Sequence, residues 1–201
     1  MKAVRRVVGR AAPLDRADVD TDQIIPAHWL KRIERTGYAP GLFEAWRRDP
    51  EFVLNDPRYR GATILLAGAN FGSGSSREHA VWALQEYGFE AVIAPSFADI
   101  FRNNALKVGL LPVELSAEIV ARLMRAAAGD PAPTISIDVE RSLVASRDAE
   151  VSASFPLDEH SRRRLVEGLD DIGFTLRHGA DIEAYEARRP EWLPRVATAE
   201  R

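Results

Sequence analysis

The sequence predicts an α/β fold built around a mostly parallel β-sheet with crossover helices, and three observations support this fold class. Short apolar runs rich in β-branched residues recur through the middle of the chain. Each run is followed by a turn signal and then by a longer stretch with helical periodicity. Several of these stretches end at glycine, as helices commonly do. This alternation is typical of parallel strands, because a parallel pair needs a long connection and a helix supplies it.

The predicted elements follow one another along the chain in that order. Strands are expected at residues 4–8, 62–66, 91–95, 110–115, 134–139, 142–145 and 151–155. Helices are expected at residues 27–33, 41–46, 80–88, 96–109, 118–128, 158–168 and 180–188. Together they predict a single domain over residues 1–201, with a helical C-terminal extension from about residue 157.

The composition excludes several classes of protein. The net charge of −3 gives no indication of a nucleic-acid partner. No apolar run reaches membrane-spanning length, and the first residues lack the apolar core of a signal peptide, so we expect no membrane association and a cytoplasmic protein. The chain contains no cysteine, which excludes disulfides, thiol catalysis and a cysteine-ligated iron–sulfur cluster. We therefore predict no metal site and no cofactor held by this chain alone.

A glycine-rich turn at residues 67–77 connects a predicted buried strand to a predicted helix. Gly72 and Gly74 permit backbone angles that residues with a Cβ resist. Ser75 or Ser76 is suited to cap the helix, and the guanidinium of Arg77 adds a positive charge. Free N–H groups, hydroxyls and this charge together favour an anion, although a simple serine cap is an equally common use of such a turn. The turn has neither the lysine of a phosphate-binding loop nor the spacing of a dinucleotide-binding loop.

A turn-rich acidic loop lies earlier in the chain, with aspartates at positions 18, 20 and 22. Aspartates at alternate positions occur in calcium loops, but the glycine and the terminal glutamate of an EF-hand are missing. The spacing alone therefore predicts a turn rather than a calcium site.

Several segments carry a resemblance to a known family. The string GSSREHA resembles the active-site segment of the swivelling domain of the aconitase superfamily, and TDQI resembles its T-D-x-I motif. Further segments occur in the order and spacing of the small subunits of 3-isopropylmalate dehydratase: RTGYAPGLFEAWR, YGFEAVIAPSFADIF, GLLPV and GLDDIGFTLRH. The resemblance covers nearly the whole chain. It implies a swivelling β/β/α domain, a role in leucine biosynthesis, and a heterodimer whose large subunit binds a [4Fe–4S] cluster.

The resemblance also implies roles for residues in the two motifs. Ser75 matches the base, acting as an alkoxide that removes a proton from a 2-hydroxy dicarboxylate. Ser76 and Arg77 match positions that bind a substrate carboxylate, for which arginine offers a planar, permanently charged fork. Asp22 matches an active-site aspartate that orients its neighbours.

A second arginine is expected shortly after the W-L-K that follows the T-D-x-I motif. Arg32 and Arg35 both qualify, and we prefer Arg35 because Arg-Thr-Gly recurs in isopropylmalate isomerases. Ile33 in the same loop would contact the uncharged branched substituent of the substrate, and Gly37 would let the loop close. By contrast, His79 is interpreted as a structural residue.

Three functions are compatible with these observations. The first is the small subunit of 3-isopropylmalate dehydratase, which interconverts 2- and 3-isopropylmalate by dehydration and rehydration. The second is the small subunit of a related hydro-lyase acting on homoaconitate, citraconate or a dimethylmalate, because the superfamily shares the GSSRE segment. The third is a non-catalytic module that only captures an anion at the helix end, but such a module has no need of the base.

Overall fold

One mixed sheet forms the centre of the protein. The computed structural model describes residues 1–129, 132–190 and 192–193. Within these residues seven strands pair in the spatial order β4-β3-β2-β1-β5-β6-β7. Their bounds are β1 Arg6–Leu14, β2 Ile64–Ala67, β3 Ala91–Ala94, β4 Leu111–Glu114, β5 Thr134–Asp138, β6 Leu143–Ser146 and β7 Val151–Ser154. Strands β1 to β4 are parallel and β5 to β7 are antiparallel, which confirms the predicted α/β class with a mostly parallel core.

Helices cover the sheet and carry the chain between strands. The α-helices are α1 Thr21–Ile24, α2 Glu78–Tyr87, α3 Asp99–Val108, α4 Ala117–Ala127, α5 Glu159–Glu167, α6 Asp171–Leu176 and α7 Gly179–Ala187. Short 3-10 helices lie at Ala27–Lys31, Ala39–Gly41, Trp46–Arg48, Val53–Asn55 and Pro57–Tyr59. No helix among the described residues is long and apolar enough to cross a membrane.

Both faces of the parallel strands are buried, as expected for strands covered by crossover helices. Along β2, Leu65 and Ala67 belong to one apolar cluster, which includes Leu84 of α2. Ile64 and Leu66 point to the other face and join the second cluster, to which α4 contributes. All four residues of β2 are buried, so the glycine-rich turn begins from a rigid support.

The first strand differs from its prediction. It was expected at residues 4–8 but runs from Arg6 to Leu14, because it pairs with strands on both of its edges. Gly9, Arg10 and Pro13 break the apolar pattern that a sequence analysis reads as a strand. Pairing with β2 and β5 overrides this local signal, since sheet formation depends on neighbours more than on intrinsic preference.

Two predicted helices also differ. The segment predicted as a helix at residues 41–46 is a turn between two 3-10 helices, and Phe43 there has a positive φ of 47°. Its N–H donates to the carbonyl of Ile24 rather than to a carbonyl one helical turn earlier. The predicted start of α3 at residue 96 is wrong as well, because α3 begins at Asp99 and Ser96 Oγ instead accepts a hydrogen bond from Asn70 N–H at 2.9 Å.

The C-terminal helices predicted at residues 158–168 and 180–188 are present as α5 and α7, and the short helix α6 between them was not predicted. Asp158 caps α5 and Asp170 caps α6, each by accepting a hydrogen bond from a backbone N–H of the first turn. Leu165 of α5 is buried, whereas α6 and α7 bury no residue. The remainder of the predicted extension, residues 194–201, lies outside the described residues.

Candidate active site

The glycine-rich turn and the acidic loop lie against each other beyond the carboxyl end of β2. Thr21 N–H donates to the carbonyl of Ser73 at 2.9 Å, and Gly72 N–H donates to the carbonyl of Val19 at 2.8 Å. Thr21 Oγ1 donates to the carbonyl of Ser75 at 2.9 Å. The two motifs, separated by about 50 residues of sequence, therefore form one site.

The glycines of the turn are required by their backbone conformation. Gly72 has a φ of +79° and Gly74 a φ of +87°, both in the left-handed region, as predicted. A Cβ at Gly72 would also lie 2.2 Å from a ring atom of Phe101, which is closer than any contact allows. Position 72 therefore requires glycine both for its positive φ and for the close approach of the Phe101 ring.

The prediction that Ser75 or Ser76 caps the following helix is wrong. Helix α2 begins at Glu78 with Arg77 at its N-cap, and no side chain caps it. Ser75 and Ser76 lie outside the helix and are exposed. Among the described residues neither hydroxyl makes a hydrogen bond, so both hydroxyls are free for a ligand.

Arg77 is held by Asp22. Its Nη2 donates to Asp22 Oδ2 at 2.9 Å, and its Nη1 donates to Oδ1 in the same bidentate pair. The Arg77 side chain is only 13% exposed, whereas that of Asp22 is 56% exposed. A bidentate pair fixes the plane of the guanidinium as well as its position. Asp22 therefore fixes the orientation of Arg77, which directly follows the two serines in the chain.

Helix α1 places Asp22 for this pairing. Asp20 caps α1 by accepting from Gln23 N–H at 2.8 Å, and the Gln23 side chain accepts in return from Asp20 N–H at 3.0 Å. Sequence reasoning treated this segment as a loop and missed the helix. The signal was present, because aspartate followed three positions later by glutamine is a capping-box pattern.

The loop at residues 32–37 contains the remaining predicted site residues. Arg32 is engaged there, donating to the carbonyl of Gly37 at 3.0 Å and lying 5.5 Å from the centre of the Trp29 ring. Arg35 makes no hydrogen bond and no salt bridge to any described residue. Ile33 is 96% exposed. No hydrogen bond or ion pair among the described residues joins Arg35 to the Ser75–Arg77 segment, so the loop does not close on the turn.

The side chain of Tyr38, the residue that follows this loop, packs on the first turns of α2. The Tyr38 ring lies 5.2 Å from the His79 ring and 5.6 Å from the Trp82 ring, and the His79 and Trp82 rings are 4.7 Å apart. His79 therefore packs in an aromatic cluster, in keeping with its interpretation as a structural residue. Burial lowers the pKa of His79; Glu78 partly offsets this shift, and Arg77 adds to it.

This shift predicts a pH dependence of stability. Folded His79 binds a proton less tightly than unfolded His79, so its contribution is full above about pH 6.5 and is lost as the pH falls below that value. We expect the urea midpoint to fall between pH 7.5 and pH 5.5, and to fall less in His79→Gln. His160→Gln serves as the control and should keep the wild-type pH dependence. An unchanged pH dependence in His79→Gln would contradict this account.

The described residues contain no group of three or more histidine, aspartate or glutamate side chains placed to hold a metal ion. The site therefore consists of hydroxyls, a carboxylate, a guanidinium and backbone N–H groups. These groups can bind a carboxylate and can stabilise an oxyanion next to it.

Comparison with known proteins assigns this arrangement to a family. A model of the aconitase C-terminal domain matches residues 1–118, and a model of the C-terminal domain of the 3-isopropylmalate dehydratase small subunit matches residues 171–199. A 3-isopropylmalate dehydratase small subunit from Parafrankia sp. is 60% identical over 197 residues, which are 98% of this chain and 100% of the relative. The chain belongs to the family of 3-isopropylmalate dehydratase small subunits.

Other similar proteins support the same family assignment. A small subunit from Rubrobacter xylanophilus is 57% identical over 196 residues, covering 98% of this chain and 100% of the relative. A crystal structure of 3-isopropylmalate dehydratase from Methanocaldococcus jannaschii matches with a TM-score of 0.63 and 28% identity, covering 90% of this chain and 99% of that chain. Members of the 3-isopropylmalate dehydratase small-subunit family are parts of a hydro-lyase of leucine biosynthesis. The match to the aconitase domain includes both Asp22 and the Ser75–Arg77 segment.

Proposed function

We propose that this chain supplies the proton-transfer half of a 3-isopropylmalate dehydratase active site, which is completed by a large subunit. The observation that carries the proposal is the free, exposed hydroxyl of Ser75, two residues before the Arg77 guanidinium that Asp22 holds in place. The enzyme removes water from 2-isopropylmalate and returns it at the neighbouring carbon. One carbon must lose a proton and the next must lose hydroxide, so a base is required.

Ser75 is the proposed base. Its Oγ, as an alkoxide, takes the proton from the substrate carbon and becomes a neutral hydroxyl, and it gives the proton back when water returns. An alkoxide is costly in water, but the charge of Arg77 and the N-terminal end of α2 both favour the anion. The hydrogen bond from Thr21 to the Ser75 carbonyl fixes the backbone that carries this group.

Ser76 and Arg77 are the proposed binding groups for one substrate carboxylate. A guanidinium has five N–H donors, and Asp22 occupies only two of them. The remaining donors can therefore bind the substrate while Asp22 keeps the fork oriented. Asp22 acts through Arg77 in this scheme and does not itself transfer a proton.

The hydroxyl of the substrate needs an acid that this chain lacks. Without cysteine, its residues do not fit a [4Fe–4S] cluster. We propose that the large subunit holds the cluster, which would supply Lewis-acid assistance to the leaving hydroxide when bound. The small-subunit names of the relatives support such a partner.

The isolated chain tests this division of roles. We expect it to be colourless, free of iron and inactive towards 2-isopropylmalate, and to gain dehydratase activity only when a cluster-loaded large subunit is added. We would measure bound iron and the absorbance between roughly 300 and 500 nm, where iron–sulfur clusters absorb. Both are compared between the isolated chain and the mixture. Stoichiometric iron or turnover in the isolated chain would overturn the proposal.

The loop residues are proposed to bind the rest of the substrate. Arg35 has no ion-pair partner among the described residues, so we assign it to the second carboxylate in preference to Arg32, whose charge is engaged. Arg35→Ala should lose about 1.5–3 kcal/mol in kcat/KM, the scale of hydrogen bonds to a charged group. Arg5→Ala removes an exposed arginine elsewhere and is the matched control. Wild-type kcat/KM in Arg35→Ala would remove this residue from the site.

Ile33 is proposed to contact the isopropyl group. Its side chain is 96% exposed in the isolated chain, so it is available to contact an apolar group of the substrate. Ile33→Thr should penalise 2-isopropylmalate more than citraconate hydration, by about 1–3 kcal/mol in kcat/KM, because small apolar contacts give discrimination of that size. Equal losses for both substrates would exclude a role of Ile33 in specificity.

A further inference from the structure

The carboxylate of Glu86 binds the backbone at the end of the loop at residues 32–37. It accepts hydrogen bonds from three successive backbone N–H groups: Gly37 to Oε1 at 3.1 Å, and Tyr38 and Ala39 to Oε2. Glu86 lies on α2, so these bonds cross 47 to 49 residues of sequence. Three N–H groups on one carboxylate form a strong, charge-assisted anchor.

The anchor is next to the residues assigned to substrate binding. Arg35 precedes Gly37 by two residues, and Gly37 has a φ of +88°, a conformation that turns the chain sharply after the loop. Tyr38 is one of the three anchored residues, and its ring packs against the ring of His79, which lies two residues after Arg77. The same helix thus carries the carboxylate-binding end at Arg77 and the loop anchor at Glu86.

The other end of the loop is fixed independently. Trp29 Nε1 donates to Glu44 Oε2 at 2.6 Å, and Arg32 N–H donates to the Trp29 carbonyl at 3.3 Å. Between this attachment and the Glu86 anchor only residues 33–36 lack a hydrogen bond from their backbone N–H groups to a described residue. Within this stretch Tyr38 Oη donates to the carbonyl of Glu34 at 2.7 Å, so removing Glu86 would loosen the stretch that contains Ile33 and Arg35 without detaching it.

We propose that Glu86 is a positioning residue, which sets the distance between the loop arginine and Arg77 by clamping the loop to the helix that Arg77 caps. The inference rests on the proposed function, because it gives Glu86 a role in binding the substrate. Along an α-helix the nine residues from Arg77 to Glu86 span about 14 Å. A rigid helix of this length keeps the loop anchor at Glu86 at a constant distance from Arg77.

Proteolysis of the isolated chain tests the clamp without the reaction. Trypsin cleaves after Arg32 and Arg35, and a clamped loop resists it. We expect Glu86→Ala to be cleaved in this loop about five to ten times faster than wild type, as expected when local opening costs less free energy. Glu90→Ala removes an exposed glutamate just beyond α2 and should be cleaved at the wild-type rate. Equal cleavage of Glu86→Ala and wild type would overturn the proposal.

Kinetics of the reconstituted complex separate positioning from general damage. Glu86→Ala should raise KM for 2-isopropylmalate about tenfold with kcat within about twofold, since one charge-assisted contact is lost. Glu86→Gln keeps an acceptor oxygen and should recover part of the effect. In the double variant with Arg35→Ala, the increase in KM should be smaller than the product of the two single increases, because Glu86 acts in part through Arg35.

The outcomes distinguish this inference from the proposed function. If the wild-type complex has no dehydratase activity, the proposed function fails and the role of Glu86 fails with it. If the wild-type complex is active and Glu86→Ala has wild-type KM, only the Glu86 inference fails. A loss in kcat and melting temperature that adds to the Arg35→Ala effect indicates a merely structural residue and also overturns the inference.

Discussion

The Ser75→Ala complex is expected to lose about 10²–10⁴-fold in kcat, the usual cost of removing a general base. The hydroxyl makes no hydrogen bond to any described residue, so its removal should leave the fold and the pairing with the large subunit unchanged. Thr21 still binds the carbonyl of residue 75, which keeps the backbone in place. Turnover of 2-isopropylmalate by the assembled complex is the measurement, with the melting temperature and the stoichiometry as checks.

A neighbouring serine provides the control. Ser73 lies in the same turn, and its carbonyl accepts from Thr21 N–H, but its side chain has no proposed part in the reaction. Ser73→Ala should keep kcat within about twofold of wild type, as surface substitutions away from special features usually do. Near-normal kcat in a correctly assembled Ser75→Ala complex would show that another group is the base.

Arg77→Lys is expected to have the second largest effect. Lysine keeps the positive charge but cannot form the fork that Asp22 and the substrate carboxylate share. The loss of two charge-assisted hydrogen bonds corresponds to at least about a 100-fold decrease in kcat/KM. Kinetics with 2-isopropylmalate should show the loss in both parameters, a higher KM and a lower kcat, because the Arg77 charge also favours the Ser75 alkoxide.

Asp22→Asn separates the two roles of this ion pair. The amide keeps one acceptor for the guanidinium but loses the bidentate charge pairing, so the orientation of Arg77 is weakened and its charge remains. We expect a loss of about tenfold in kcat/KM, smaller than that of Arg77→Lys. Equal or greater damage in Asp22→Asn would mean that Asp22 has a direct role. Wild-type kinetics in Arg77→Lys would remove the arginine from substrate binding.

Much of the sheet could be predicted from sequence because its parallel strands are locally encoded. The strand at Ile64–Ala67 and the strand at Ala91–Ala94 are continuous apolar runs, and each is buried on both faces. Gly88 and Gly109 end the following helices in the left-handed conformation that only glycine adopts readily. In such segments local preference and tertiary packing agree.

The errors occurred where long-range contacts determine the local structure. Ser75 and Ser76 are good helix caps by residue type, but the hydrogen bonds of the turn to the acidic loop hold them outside the helix. Helix α3 was predicted to begin at Ser96, whose Oγ instead accepts a hydrogen bond from Asn70 N–H in the glycine-rich turn. The anchor at Glu86 carries no local signal, because its three partners lie 47 to 49 residues away.

Of the candidate site, the sequence indicated that Asp22 and Arg77 belong together but not how they are paired. The resemblance placed Asp22 and Arg77 in one site, and the structure adds their bidentate pairing. It left the choice between Arg32 and Arg35 open. In the structure Arg32 is engaged within its own loop, and the assignment of Arg35 to the substrate stays a prediction.

The most direct test of the account is a titration of this chain into a fixed amount of cluster-loaded large subunit, with kcat/KM measured for 2-isopropylmalate, homoaconitate, citraconate and a dimethylmalate. We predict that activity rises from zero and saturates at one chain per large subunit, and that 2-isopropylmalate has the highest kcat/KM. A complex that forms but has no activity with any of these diacids would contradict catalysis by this chain, and a higher kcat/KM for another diacid would contradict its assignment to isopropylmalate.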